Sequence, residues 1–428
     1  MAINNIEDLQ ALDNNFKKHR LLYAFWFGLV VYMLGYTMSV TASPVFIICD
    51  LLRLIGIGLI VISSIQIMSF QFENRYLKVL YTFYVLWLFT VVLRGFNFNY
   101  EFIKNTLFDP GAGVFMYCVP LVLLIPKPPK FYKILFFITL VLGILYLIYM
   151  GLGASEFLYG KDNSSRDRFE VFVKTLALPC GFLLMTFNYH PKKSRVIAFL
   201  VMAVVFLLAV YRARRGLIFI SGSVFIFAFL IFLYLNKRKF LLFIFSLLAG
   251  GLILGYAITS FDIGDSKLLK ETKERGTEDT RSGVEDFYYA DMQFKDWMIG
   301  RGMSGMVAAP IGIEVDSATP GYRKGIETDY LNIILKGGII SLGLLLLIAI
   351  PAVIQGLFLS KNTLSKAAAF WIILWLISLY PSTVTTFTLN YILVWIAIGI
   401  CYSSSVRNMS DQVLKEYFLT QSKNTKFL

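Results

Sequence analysis

Apolar runs of about 20 residues recur from one end of this chain to the other, separated mostly by short basic links. A run of that length is what a helix needs to cross a bilayer. Inside hydrocarbon, each backbone N–H and C=O must be satisfied within its own segment, which favours helices. Candidate spans cover residues 21–40, 45–70, 77–93, 111–126, 131–151, 169–188, 196–211, 216–235, 239–258, 329–358, 367–381 and 385–403. Composition agrees: 57% of the 428 residues are hydrophobic and only 16% charged, against about 25% charged in soluble domains. The expected fold is all-α, a polytopic membrane bundle of about twelve transmembrane helices.

The net charge of +13 would suggest nucleic acid in a soluble protein. Here the excess of Lys and Arg in cytoplasmic links explains much of it, and no nucleic-acid partner is expected. Lys17, Lys18 and Arg20 precede the first run, which is longer than the apolar core of a signal peptide and reads as an uncleaved anchor. With that end in the cytoplasm, Arg75/Lys78, Lys127/Lys130/Lys133, Lys192/Lys193/Arg195, Lys237/Arg238/Lys239 and Lys361/Lys366 all fall inside. The tail, with Arg407, Lys415, Lys423 and Lys426, falls inside too. The chain thus divides into helices one to nine (1–258), a large external loop (259–328), helices ten to twelve (329–403) and a cytoplasmic tail (404–428). Pro120 and Pro179 should kink their spans. Cys49, Cys118, Cys180 and Cys401 lack metal-ligand spacing, and His19 and His190 are the only histidines. That pattern argues against a zinc site and a Ser-His-Asp triad, and no metal or cofactor is expected.

Charge in the wrong place marks the candidate chemistry. Arg212, Arg214 and Arg215 crowd a short external turn, against the positive-inside bias. Guanidinium forks bind phosphate oxygens bidentately, so the turn suits a lipid-linked phosphate or pyrophosphate, with contact to bulk headgroups as the plainer alternative. The large loop adds Arg281, Arg301 and Arg323. Its segment Gly300-Arg301-Gly302-Met303-Ser304-Gly305 fits a dinucleotide fingerprint in letters, but no strand precedes it and no helix clearly opens on it. Glu327 and Asp329 lie at the mouth of the tenth span, either as helix-dipole partners or, for Glu327, as a general base. Lys174 stands alone in the sixth span, lining a cavity or snorkelling outward, and Asp50 with Arg53 reads as a structural pair.

Together these segments resemble the O-antigen polymerase and O-antigen ligase family of membrane glycosyltransferases. The Arg-Gly turn of the family matches Arg215-Gly216; its loop arginine, Trp and Gly-x-Gly match Arg281, Trp297 and Gly300-Arg301-Gly302. Its His-Asn-x-Tyr-Leu segment with a following glycine aligns with Glu327-Thr328-Asp329-Tyr330-Leu331 and Gly338. Glu327 stands where the ligase pattern has His, and Thr328 where it has Asn, which favours the polymerase side.

The resemblance implies a C-type glycosyltransferase fold in a bacterial inner membrane, with the active site on the periplasmic side. The reaction implied is transfer of a glycan from undecaprenyl pyrophosphate to a sugar hydroxyl of another lipid-linked repeat unit, without metal or nucleotide sugar. Arginines can stabilise the departing pyrophosphate in place of a cation. The implied catalytic residues are Glu327, Arg215 and Arg281; Arg212, Arg214, Arg301, Arg323, Lys174 and Tyr330 would contact pyrophosphate or glycan. The lipid-linked oligosaccharide, the bilayer and a chain-length regulator protein are the expected partners. The alternatives are a ligase acting on lipid A core or another acceptor and, in another class, a lipid-oligosaccharide flippase or secondary transporter.

Overall fold

The computed structural model describes residues 6–41, 46–111, 113–159, 163–236, 282–308 and 321–424. Helices dominate the described residues. The first half holds α1 (Ile6–Asn15), α2 (His19–Thr41), α3 (Phe46–Ile67), α4 (Arg75–Gly95), α5 (Tyr100–Phe108), α6 (Val114–Cys118) and α7 (Pro129–Leu152). Then come α8 (Ala154–Tyr159), α9 (Asn163–Phe172), α10 (Cys180–Met185), α11 (Lys192–Tyr211) and α12 (Arg215–Leu235). Later residues form α13 (Ser282–Asp291), α14 (Phe294–Ile299), α15 (Asp329–Phe358), α16 (Thr363–Ser378), α17 (Leu389–Tyr402), α18 (Ser404–Asn408) and α19 (Asp411–Asn424). The one described sheet is a ribbon pairing Val307 with Arg323 and Ala308 with Tyr322.

Seven of these helices, α2, α3, α4, α7, α11, α12 and α15, are long and apolar enough to cross a membrane. This is an all-α membrane protein. The candidate span at 239–258, most of the loop at 259–328 and Arg281 lie outside the described residues.

Four expected spans take shorter or broken forms. The run at 111–126 becomes α6 followed by a tight 3₁₀ stretch, Val119–Leu124, with Pro120 in its first turn. The run at 169–188 changes pitch. After α9, Val173–Ala177 is a π turn whose register shows in Leu178 N–H donating to Val173 O at 3.0 Å, and Pro179 caps α10. α16 has 16 residues and α17 only 14, and 14 residues reach about 21 Å, short of a hydrocarbon core of about 30 Å. α17 tolerates this because nearly every residue along it is buried. Protein rather than lipid surrounds it, so its length need not match the bilayer. The outer helices carry exposed apolar side chains, for example Ile47, Ile65 and Phe83.

Small residues set the contact between α2 and α3. A Cβ built on Gly56 would lie 2.7 Å from Gly28 O, and one on Gly28 would lie 2.8 Å from Leu59 Cβ. α2 and α3 therefore approach backbone to backbone, which is how helices gain dispersion energy where lipid removes any hydrophobic advantage.

Hydrogen bonds gather the links into two groups. One group joins the chain ends: Tyr417 donates to Asp13, Tyr189 to Asp411, Asn362 to Val406 O at 2.8 Å, and Ser404 N–H to Glu73 at 2.8 Å. The other joins the links that alternate with these. Arg212 reaches Phe157 O, Lys174 reaches Thr383 O, Ser304 reaches Gly95 O, and Phe387 N–H reaches Pro110 O.

Candidate functional site

α15 is two helices laid end to end. Gly338 leaves the helical region with φ 71° and ψ −180°, a conformation that suits a residue without Cβ. The break frees carbonyls, and the loop before α15 supplies their donors. Arg301 N–H binds Leu335 O at 2.7 Å and Gly302 N–H binds Lys336 O at 2.9 Å. Trp87 Nε1 of α4 binds Gly337 O at 2.9 Å. Met303 N–H continues the seam to Val91 O at 3.0 Å, and the Arg94 guanidinium takes Ile299 O and Gly300 O. The Gly-x-Gly of the loop and the Lys-Gly-Gly of the helix, separate in sequence, are thus one construction. Irregular backbone at a helix break persists where it lines a cavity or is buried in protein.

A cavity of about 350 Å³ opens beside this break, between α4, α6, α15, α17 and the links at 323–327 and 383–385. Three cations line it, Arg323, Lys324 and Lys336, with three carboxylates, Asp109, Glu327 and Asp329, and the tyrosines 84, 117 and 391. Lys336 Nζ donates to Gly305 O at 2.5 Å and Lys324 O at 2.7 Å. No carboxylate of the described residues pairs with it. Its ammonium has three protons, so one remains for the cavity.

The two carboxylates expected at this helix mouth play different parts. Asp329, first residue of α15, is buried, and its Oδ2 accepts from Val384 N–H at 2.9 Å and Thr385 N–H at 2.7 Å. Its own N–H donates to Leu379 O at 2.8 Å. Asp329 pins the α16–α17 connection to α15. Thr328, the N-cap, donates its hydroxyl to Glu285 Oε1 at 2.5 Å and ties α13 to the same point. Asn332 closes the preceding turn by accepting Ile326 N–H at 2.7 Å. Glu327 sits on that turn, exposed at the cavity wall.

The triple-arginine turn lies elsewhere. Arg212 is buried, with its guanidinium on Phe157 O at 2.9 Å, on Ser165 Oγ at 2.8 Å and over the Phe169 ring. Arg214 forms ion pairs with Asp167 and Glu170 at 3.3 and 3.2 Å. The turn is a Schellman cap, with Arg214 N–H on Ala209 O and Ala213 N–H on Val210 O, Ala213 taking the left-handed position at φ 51°. Arg215 is exposed at the start of α12, and Gly216 abuts Pro381 O; neither lines the cavity. Lys174 is not isolated: it pairs with Glu170 at 2.7 Å and donates to Thr383 O at 3.0 Å, one residue from the Asp329 latch.

Arg301 has all five N–H donors engaged inside the loop. They go to Asp296 Oδ2 twice, Asp291 Oδ2, Asp291 O and Met306 O, at 2.6 to 2.9 Å. Burial alone would lower its pKa, but Asp291 and Asp296 overcome it and raise the value. Arg301 therefore shapes the seam. Tyr330 stacks on Tyr380, and neither is among the residues lining the cavity. Of the residues singled out in the sequence, Glu327 and Arg323 share the cavity, Lys174 reaches its wall through Thr383, and Arg212, Arg214 and Arg301 are engaged with protein groups. Sequence reasoning passed over Lys336 and Lys324. The signal for Lys336 was present: a charge inside an apolar run, directly before Gly-Gly. No protein-family model, curated protein or solved structure matches the chain.

Proposed function

We propose that the chain is a membrane glycosyltransferase that polymerises a surface polysaccharide. It moves a glycan from a polyprenyl pyrophosphate to a sugar hydroxyl of another lipid-linked repeat unit, in the cavity beside Gly338. The observation that carries this reading is Lys336: an ammonium at a helix break, beside Lys324 and Arg323, without a carboxylate partner among the described residues. A charge held in that way in a largely apolar setting is costly unless an anion joins it. A diphosphate supplies the anion, and three cations suit the charge that develops as it leaves. Glu327 lies within the same cavity and is the group to take the acceptor's proton. The cavity would face the outer side, with the chain ends and the Glu73 and Asn362 links cytoplasmic, as the basic links imply.

The protein reconstituted in vesicles with a pyrophosphate-linked repeat unit should yield a ladder of longer glycans. Lys336→Met should abolish the ladder and Lys336→Arg retain part of it. Absence of any elongation by the unaltered protein would overturn the reading. The broken α15 favours one second reading, since transporters build their sites from discontinuous helices. Movement of labelled lipid across the bilayer without elongation would identify it.

A further inference from the structure

The loop before α15 does not stay at one level of the bundle. Its first helix, α13, is tied to the start of α15: Thr328 donates to Glu285, and the Tyr288 hydroxyl donates to Leu331 O at 3.2 Å. Its second helix, α14, ends lower. A Cβ on Gly338 would collide with Met298 O. Gly338 lies seven residues beyond Leu331, about 10 Å further along α15 at about 1.5 Å per residue. α4 marks the same level from the other side. Trp87 Nε1 bonds Gly337 O at 2.9 Å, and Trp87 lies eight residues before Gly95, the last residue of α4. The chain then climbs back, with Met303 N–H on Val91 O at 3.0 Å, Ser304 on Gly95 O and Val307 paired with Arg323.

We infer that residues 289–303 form a re-entrant turn that dips into the membrane leaflet at the cavity end of the bundle, with Phe294 and Met298 among its acyl chains. The partner of this surface is lipid. Phe294 is 82% exposed and Met298 38%; four residues apart, they share a face of α14. Ile339 follows the glycine against which Met298 lies and is exposed as well. The three side chains extend the exposed apolar side of α15, a helix long and apolar enough to cross a membrane. The polar groups of the turn are disposed as that setting demands. Irregular backbone at membrane depth has to be satisfied by protein. The N–H groups of Gly300, Arg301, Gly302 and Met303 bond Asp296 O, Leu335 O, Lys336 O and Val91 O, all within 3.0 Å. A charge at that depth has to be paired, and Arg301 is, with Asp291 and Asp296. Lys295, exposed on the same helix, has a stem long enough to carry its ammonium to the headgroups. Lipid packing and the glycine seam together then hold Met303 at the cavity wall. The same geometry holds whatever reaction the cavity carries out.

Hydroxyl-radical footprinting tests this on the unaltered full chain, one copy per nanodisc of phosphatidylethanolamine and phosphatidylglycerol. Phe294 should be oxidised at least about tenfold more slowly than Phe287 of α13, because a face sunk about 5–10 Å into the headgroup–acyl boundary is out of water. Exposure in the protein alone gives the opposite order, 82% for Phe294 against 45% for Phe287. A phospholipid with a diazirine in its acyl chain should attach to residues 294–298 on irradiation and spare Tyr322 in the ribbon. Oxidation of Phe294 as fast as that of Phe287, or acyl-chain adducts absent from 294–298, would overturn the re-entrant turn. Protection found only in discs holding two copies would assign the face to a second copy of the chain and overturn it too.

Discussion

Gly300 and Gly338 face each other across the seam between loop and helix, each at φ 71°. A Cβ on Gly300 would meet Gly337 N at 2.5 Å, and one on Gly338 would run into Met298 O and Ile299 N. Each glycine is thus required by the backbone beside the other as well as by its own dihedral angles. Gly338→Ala should cost the seam about 1–2 kcal/mol for the left-handed backbone, with the collision in addition. Gly343→Ala in the same helix, where a Cβ meets nothing within 4 Å, should be neutral or stabilise by up to about 1 kcal/mol. Thermal unfolding of both variants in one detergent checks the contrast. Similar melting temperatures would show that the break is not held by these glycines.

Arg301 gives a second test, because its five donors are all engaged by Asp291, Asp296 and Met306. A lysine offers three protons from one point and cannot reproduce the fork. Arg301→Lys should therefore lower thermal stability nearly as much as Arg301→Met, while the folded fraction keeps its affinity for a diphosphate. A variant that melts normally but fails to bind would return Arg301 to the ligand set.

Much of the fold was legible because apolar length is a strong signal: α2, α4, α7, α11, α12 and α15 fall where long runs predict them. Pro120 and Pro179 were legible as disturbances, but their outcomes, a 3₁₀ stretch and a π turn, depend on neighbours that sequence does not name. The candidate site was legible in its segments and not in its pairings. Glu327, the Gly-x-Gly and Gly338 stood out individually. That Gly302 N–H satisfies Lys336 O follows from the path of a loop across α4 and α15, which no local pattern encodes. The arginine turn was legible by its charge and not by its partners. Its charge opposed the topological bias, and its partners, Asp167, Glu170 and Ser165, lie in another link.

His190 contributes a pH dependence to one of the links. It lies between α10 and α11, buried, with Nε2 2.9 Å from Thr186 Oγ1 and its ring edge-on to Phe136. Burial, with a smaller push from the Arg195 charge, lowers its pKa to about 3, against about 6.5 in an unfolded chain. The unfolded state then binds more protons at intermediate pH. The contribution of His190 is full above about 6.5 and falls steadily as pH drops toward the folded value. Melting temperature followed from pH 7.5 to 4.5 should decline less steeply in His190→Phe than in the unaltered protein. Parallel declines would mean that the imidazole is hydrated and protonates freely.

Glu327 and Asp329 are two residues apart and should fail in different ways. Asp329 is fully enclosed, and one of its oxygens receives two backbone N–H groups from the α16–α17 connection. Asp329→Asn keeps an acceptor but removes the charge that strengthens both bonds. The loss expected is about 2 kcal/mol of stability, with turnover per folded molecule largely kept. Glu327 is exposed at the wall of the cavity that Lys336 and Arg323 share. The turn that carries it is closed by Asn332, which accepts Ile326 N–H at 2.7 Å. Glu327→Gln, a substitution at an exposed position, should shift melting little, yet lower turnover about 100-fold or more, as the loss of a positioned general base does. Binding of a polyprenyl diphosphate should persist, because the cations remain. Initial rates at matched amounts of folded protein, read beside melting curves, separate the two behaviours. If Glu327→Gln turns over normally, the proton acceptor lies elsewhere in the cavity, and Asp109, the other carboxylate on its wall outside the Asp329 latch, becomes the residue to test.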